Sequence, residues 1–266
     1  MKLTVLVDNN TYIDQYYIGE PAASYVLEDE GIKILFDTGY SDVYLKNASK
    51  MGINLENIDT IAISHGHDDH TGGLLYFPRG NRKIKLVAHP EAFEKKRIDG
   101  HAICSPICLD EAKELFDLHL TKKPVKLSPH ITFLGEIQRV WPFENRDPIG
   151  EYEHGAQWNP DYLMDDTALV YETDKGIYII TGCSHAGICN IAEYAKKVTG
   201  KNHILGIIGG LHLFNESEQL TGTVNYIKKE KIEELYPCHC TSFIARAAIH
   251  KIMPVNEVGV GLTIEW

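Results

Sequence analysis

Ser64-His65-Gly66-His67-Asp68-Asp69-His70-Thr71-Gly72-Gly73 follows directly on the apolar run Ile58-Asp59-Thr60-Ile61-Ala62-Ile63, and this junction decides how the chain is read. It packs three imidazoles and two carboxylates into six positions. Side chains alternate along a strand and its immediate extension, so His65 and His67 can point the same way and share one metal ion. Asp69 and His70 fall where the backbone turns and can reach a second ion beside the first. A polar loop with solvated histidines commonly carries one or two. Three at this spacing, with an Asp between them, point to metal.

Other segments belong with this one. Gly31-Ile32-Lys33-Ile34-Leu35-Phe36-Asp37-Thr38-Gly39 reads as a strand ending in an Asp. Thr181-Gly182-Cys183-Ser184-His185-Ala186-Gly187 is a turn of small residues after a later strand, where backbone can approach a site closely. Cys238-His239-Cys240-Thr241 and Gly209-Gly210-Leu211-His212-Leu213 each carry one further histidine.

The first motif resembles H-x-H-x-D-H, the signature of the metallo-β-lactamase superfamily, and the resemblance runs from about Ser24 to Ser242. It implies an α+β fold, a four-layer αββα sandwich; periodicity alone gives only α/β or α+β. A finer resemblance, through Thr181 to Gly187, His239-Cys240-Thr241, Gly135-Glu136-Ile137-Gln138-Arg139 and Phe143-Glu144, is to a subgroup that includes synthases of methanopterin biosynthesis.

Composition sets the outer bounds. At 266 residues the chain is long enough for a substantial core, and the absence of repeats or low-complexity linkers suits one domain over 1–266. A net charge of −11 disfavours nucleic acid, which is held by Lys/Arg patches, but leaves room for an anionic small molecule bound through metal. No apolar run reaches a membrane span, and the N-terminus lacks a signal peptide's pattern, so a cytoplasmic protein is expected. Its six cysteines are then read as reduced thiols, some near metal.

Most of the chain alternates strand-like and helix-like runs, among them a helix expected over Pro90 to Lys96. Residues 139–166 break this rhythm with three Pro, two Trp and little periodicity. So long a stretch suits a lid or substrate-binding insertion, or a plain surface excursion.

The expected ligands are His65 and His67 for one divalent ion and Asp69 and His70 for another, completed by His185 and His239. Zinc fits best, with manganese or iron also compatible. Two departures from the family pattern stand out. Many members carry an Asp where this chain has Cys183, and the usual third His before Thr167 is replaced by Asp165 and Asp166. Cys183 and Asp166 are therefore possible metal or substrate contacts. Asp37 would orient a ligand histidine, or close its own turn. Asp69 could also accept a proton, and His212 could bind metal or touch substrate. His89 is intermediate. His101, His119, His130, His154, His203 and His250 lack a comparable setting.

Two ions about 3.5–4 Å apart can generate a bound hydroxide near neutral pH, so the main expectation is a metal-dependent hydrolase of a small ester, lactone or phosphoester. The alternative, which the finer resemblance implies, is transfer of a dihydropterin diphosphate to an arylamine, with the ions neutralising the departing diphosphate. In that case Trp141, Phe143, Tyr152 and Trp158 could stack on a pterin, and Arg139 and Arg146 could hold phosphate; all could equally be packing or surface residues. A non-catalytic binding module on the same fold is the remaining alternative.

Overall fold

The apolar runs become strands with both faces covered. The computed structural model describes residues 1–78, 80, 82–144 and 147–266. In chain order the strands are β1 (Lys2–Val7), β2 (Ser24–Asp29), β3 (Ile32–Phe36), β4 (Thr60–Ala62), β5 (Lys85–Ala88), β6 (Lys96–Ile98), β7 (His101–Ala102), β8 (Asp117–Leu120), β9 (Val125–Lys126) and β10 (Ile131–Phe133). They continue with β11 (Glu151–His154), β12 (Gln157–Pro160), β13 (Ala168–Glu172), β14 (Ile177–Thr181), β15 (Ile204–Gly210), β16 (Glu234–Cys238) and β17 (Thr263–Glu265). The helices are α1 (Val43–Lys50), α2 (Asp68–Thr71), α3 (Leu109–Leu115), α4 (Ile188–Thr199), α5 (Glu218–Glu230) and α6 (Phe243–His250).

One sheet runs β17-β1-β2-β3-β4-β5-β8, a second β16-β15-β14-β13-β10-β9, and a small third β12-β11-β6-β7. Alternation sorts the side chains between layers. Tyr25, Leu27, Ile34 and Phe36 of the first sheet meet Phe133, Leu169, Ile180 and Ile208 of the second. Val26 and Leu35 point the other way, towards Tyr44 and Ala48 of α1 and Ala112 of α3. On the far side, Val170, Ile179 and Ile207 pack against Ile191 of α4, Ile227 of α5 and Ile249 of α6. Three apolar interfaces between four layers make an αββα sandwich of the α+β class. Burial on both faces also explains why the central strands read as nearly unbroken apolar runs.

Pairing direction places the functional edge. β3, β4 and β5 are mutually parallel, as are β14, β15 and β16, so in each sheet the loops after these strands leave from one edge. The motif histidines, Cys183, His212 and His239 lie in those loops.

Three local expectations change. Pro90 to Lys96 is not a helix but a 3-10 turn over Pro90–Phe93 followed by β6. Extended backbone delivers the Lys96 ammonium to Asp161 and Asp165, 2.8 Å from each, and a buried cation needs such partners. Residues 139–166 contain the β11–β12 hairpin, which pairs with β6. α6 was not anticipated, although Ser242 caps it by accepting from Ala245 N. Three aromatic residues of the 139–166 stretch are packing anchors: Trp141 and Phe143 lie on the α4–α5 core near Tyr226, and Trp158 lies 3.8 Å from the Arg97 guanidinium. Arg139 is tied to the carbonyls of Tyr162 and Leu163, while Arg146 lies outside the described residues. No described helix is long and apolar enough to cross a membrane.

Candidate metal centre

Two donor groups assemble where the strand-end loops converge. His65, His67 and His185 form one; Asp69, His70, Cys183 and His239 form the other, and within each group the ligand atoms lie within 4.8 Å of one another. The groups adjoin, with the His65 and His70 rings 4.3 Å apart between centroids. His65, His67 and His185 also stack edge to face at 4.7–5.0 Å.

The hydrogen bonds fix which ring nitrogen faces inward. The Asp37 carboxylate can only accept, and it takes Ser64 N, Ser64 Oγ and His70 Nδ1 at 2.7 Å each. His70 therefore carries its proton on Nδ1 and turns Nε2 towards Cys183 Sγ, 3.2 Å away. Ser64 Oγ donates its hydrogen bond to Asp37, so it accepts from His65 Nδ1 at 2.9 Å. His239 Nδ1 donates to Asn9 Oδ1 at 3.0 Å, and its backbone N donates to Asp8 Oδ2. Such outer partners set the tautomer a metal ligand needs.

What remains inside the site is unsatisfied. Nε2 of His65, His67 and His239 and both ring nitrogens of His185 are buried with no hydrogen-bond partner. His239 Nε2 sits 3.2 Å from Asp69 Oδ2 without hydrogen-bond geometry. Orphaned buried acceptors are costly, and a cation in each group would answer one ring nitrogen of each histidine. Each of the two donor groups is of a kind that could hold a metal ion.

Electrostatics agree. Burial, then the neighbouring histidines, pushes His65 and His185 well below the ordinary imidazole range. Burial holds His67 down to about 4 and His212 to about 4. Neutral imidazoles are what metal ligation requires. His70 differs: burial lowers it, but Asp69 and Asp37 outweigh this and raise it. A proton or a metal cation at Nε2 would answer the same carboxylates. Burial would raise Asp69, yet His70 and His239 hold it well below the usual carboxylate range. Burial, with Cys240 beside it, keeps the Cys183 thiol protonated, a preference a bound cation would reverse.

The backbone is strained where these groups emerge. Asp37, Ser184, His212 and His239 all adopt positive φ, between 49° and 60°, at about 1–3 kcal/mol for each such residue. Gly182 is required by close approach: a Cβ there would lie 2.2 Å from Ser64 Oγ and 2.9 Å from Asp37 Oδ2.

The remaining sequence candidates divide. Cys183 joins a donor group; Asp166 does not. Asp166 Oδ2 instead accepts Ala186 N and so supports the His185 loop, and burial raises its carboxyl to about 7. Asp37 touches His70 and Ser64, which places it behind the ligands. The His212 ring lies 4.3 Å from that of His185 between centroids, tilted by 53°, beside the groups but outside both. His89 collects with Glu91 and Glu136, where Lys122 already bridges the two carboxylates at 3.0 and 2.9 Å. Sequence reasoning missed Ser64, Asp8, Asn9 and the Lys96–Asp165 pair, whose Asp165 Oδ2 accepts Gly66 N inside the motif. Only Ser64 had a visible signal, its place at the motif's start.

Residues 17–239 match the family model described as the metallo-beta-lactamase superfamily. A Methanocaldococcus jannaschii protein named 7,8-dihydropterin-6-methyl-4-(beta-D-ribofuranosyl)-aminobenzene-5'-phosphate synthase is 32% identical over 261 residues, covering 92% of this chain and 89% of that protein. The crystal structure described as Tm1679, a metal-dependent hydrolase of the beta-lactamase superfamily, is similar with a TM-score of 0.87 and 29% identity, over 100% of this chain and 99% of that one. An anti-Pycsar protein Apyc1 of Bacillus phage vB_BveM-Goe7 is 31% identical over 134 residues, 48% of this chain and 49% of its own length.

Proposed function

We propose, for a chain that belongs to the metallo-β-lactamase superfamily, that it joins a dihydropterin to an arylamine by displacing diphosphate from 6-hydroxymethyl-7,8-dihydropterin diphosphate. The observation that carries this reading is the near full-length similarity to the M. jannaschii synthase. His65, His67 and His185 would hold one divalent ion and Asp69, His70, Cys183 and His239 another, with zinc favoured by imidazole and thiol donors. Bound there, the ions would supply positive charge for the departing diphosphate.

The chain's own groups do the rest. Asp37, Ser64 and Asn9 hold the ligand rings in one tautomer. The new bond joins the arylamine nitrogen to the pterin's exocyclic methylene carbon as that carbon's bond to the diphosphate oxygen breaks. The amine proton needs an acceptor, and His212, held down to about 4 by burial and lying against His185, offers a ring nitrogen. The proposal takes 1–266 as one domain, with the hairpin in 139–166 as an anchored wall.

Hydrolysis is the second reading, favoured by the similarity to Tm1679; water would then replace the amine. Pyrophosphate release from the pterin diphosphate by metal-loaded protein, with and without 4-(β-D-ribofuranosyl)aminobenzene 5′-phosphate, separates the two. Release that needs the amine and disappears in His67→Ala supports the synthase. Release without the amine supports hydrolysis, and no release under either condition sinks the synthase reading.

A further inference from the structure

His239 is a wall shared by the donor groups and a neighbouring cleft of about 470 Å³. Its Nε2 lies on the Asp69 side, and its Nδ1 is bonded to Asn9, which lines the cleft with Asp8, Ser242, Arg246 and Glu257.

Among the described polar groups of the cleft, one cation has no partner. Asp8 is used by Asn10 N and His239 N. Glu257 accepts from Asn10 Nδ2, and Ser242 Oγ donates to Phe214 O while accepting Ala245 N. Asn9 gives its carbonyl oxygen to His239, so its NH2 remains a donor. Arg246 has no ion pair and no side-chain hydrogen bond among the described residues, and its Nε is buried without an acceptor. The other described arginines are all engaged: Arg82 with Ile58 O, Arg97 with Glu151, Arg139 with Tyr162 and Leu163. In a chain of net charge −11, a guanidinium without an acceptor beside the candidate active site calls for a ligand anion.

We infer that Arg246, helped by the Asn9 amide, forms a subsite for a phosphomonoester, the 5′-phosphate at the far end of the arylamine substrate. The inference rests on the synthase reading for the identity of that substrate. Its chemistry is complementary: a planar fork of N–H donors suits a phosphate's oxygens, and His239 is common to the cleft and to the second donor group.

The test is calorimetric titration of metal-loaded wild type, Arg246→Gln and Arg246→Lys with 4-(β-D-ribofuranosyl)aminobenzene 5′-phosphate and with its dephosphorylated form. The wild type should prefer the phosphorylated form by about 10- to 100-fold. Arg246→Gln should abolish that preference without weakening the dephosphorylated form, and Arg246→Lys should keep part of it. No preference in wild type, an undiminished preference in Arg246→Gln, or equal weakening of both ligands would each overturn the inference. Should Arg246→Gln fail to fold, phenylglyoxal labelling of wild type replaces it. Arg246 must be protected by the phosphorylated form alone, and labelling indifferent to the phosphate overturns the subsite. Pyrophosphate release keeps the two readings apart. Phosphate preference without any release refutes the synthase but retains the subsite, and amine-dependent release without preference does the reverse.

Discussion

Asp37→Asn is the substitution that probes the centre most cleanly. Asparagine has nearly the same shape and tolerates the positive φ of 59° found at Asp37, so backbone strain cannot explain its effect. The amide oxygen can still accept Ser64 N, but the NH2 then faces Ser64 Oγ and His70 Nδ1, both of which donate to the native carboxylate. To pair with that NH2, His70 must move its proton from Nδ1 to Nε2, the atom aimed at Cys183 and Asp69. A protonated Nε2 cannot ligate. Losing charge assistance on two bonds costs about 1 kcal/mol each, and any donor left facing a donor about 1–3 kcal/mol more. The metal-free variant should therefore be less stable by about 3–5 kcal/mol. Loss of such an outer partner should weaken metal at the Asp69–His70–Cys183–His239 group by about 10- to 100-fold. Urea denaturation measures the first quantity, and competition with a chromophoric zinc chelator the second. A variant that loses less than about 1 kcal/mol of stability and keeps its zinc affinity within a factor of about three would refute the argument that Asp37 sets the His70 tautomer.

Other perturbations follow from the same geometry. Lys96→Met should leave Asp161 and Asp165 buried without their cation and cost about 3–5 kcal/mol in urea denaturation; a cost under about 1 kcal/mol would show that the ion pairs are replaceable. Cys183→Ser should reduce tightly bound zinc by elemental analysis while the three-histidine group keeps its ion, and unchanged stoichiometry and affinity would remove Cys183 from the ligand set. Glu144 is buried at the start of α4, accepting Cys189 N and Gln219 Nε2, and burial raises its carboxyl. A carboxyl whose folded pKa lies above its unfolded value stabilises fully at low pH and loses that contribution as pH rises through the folded pKa. Glu144→Gln escapes this loss, so its melting temperature relative to wild type should climb from about pH 4.3 upwards; a difference that shrinks with pH would count against the burial argument.

The sequence by itself carried the donor motif and, through its resemblance to a known superfamily, the class of the fold. The spacing of His65, His67, Asp69 and His70 is local, and one strand end with the turn after it brings them together. The apolar runs were equally legible, because strands buried on both faces leave little choice of residue. What the sequence left open were relations between distant segments. Packing groups the expected His185 with His65 and His67, sets Cys183 beside His70, and gives Asp166 Oδ2 the Ala186 N–H of the His185 loop. Asn9 and His239 are separated by 230 positions, and Gly66 and Asp165 by 99; no periodicity records such pairs. Lys96 looked like the end of a helix because its neighbours suit one, but its ammonium, drawn to two buried carboxylates, requires extended backbone there. Local pattern governs elements and motifs; burial, which forces each polar atom to find a partner, governs how they meet.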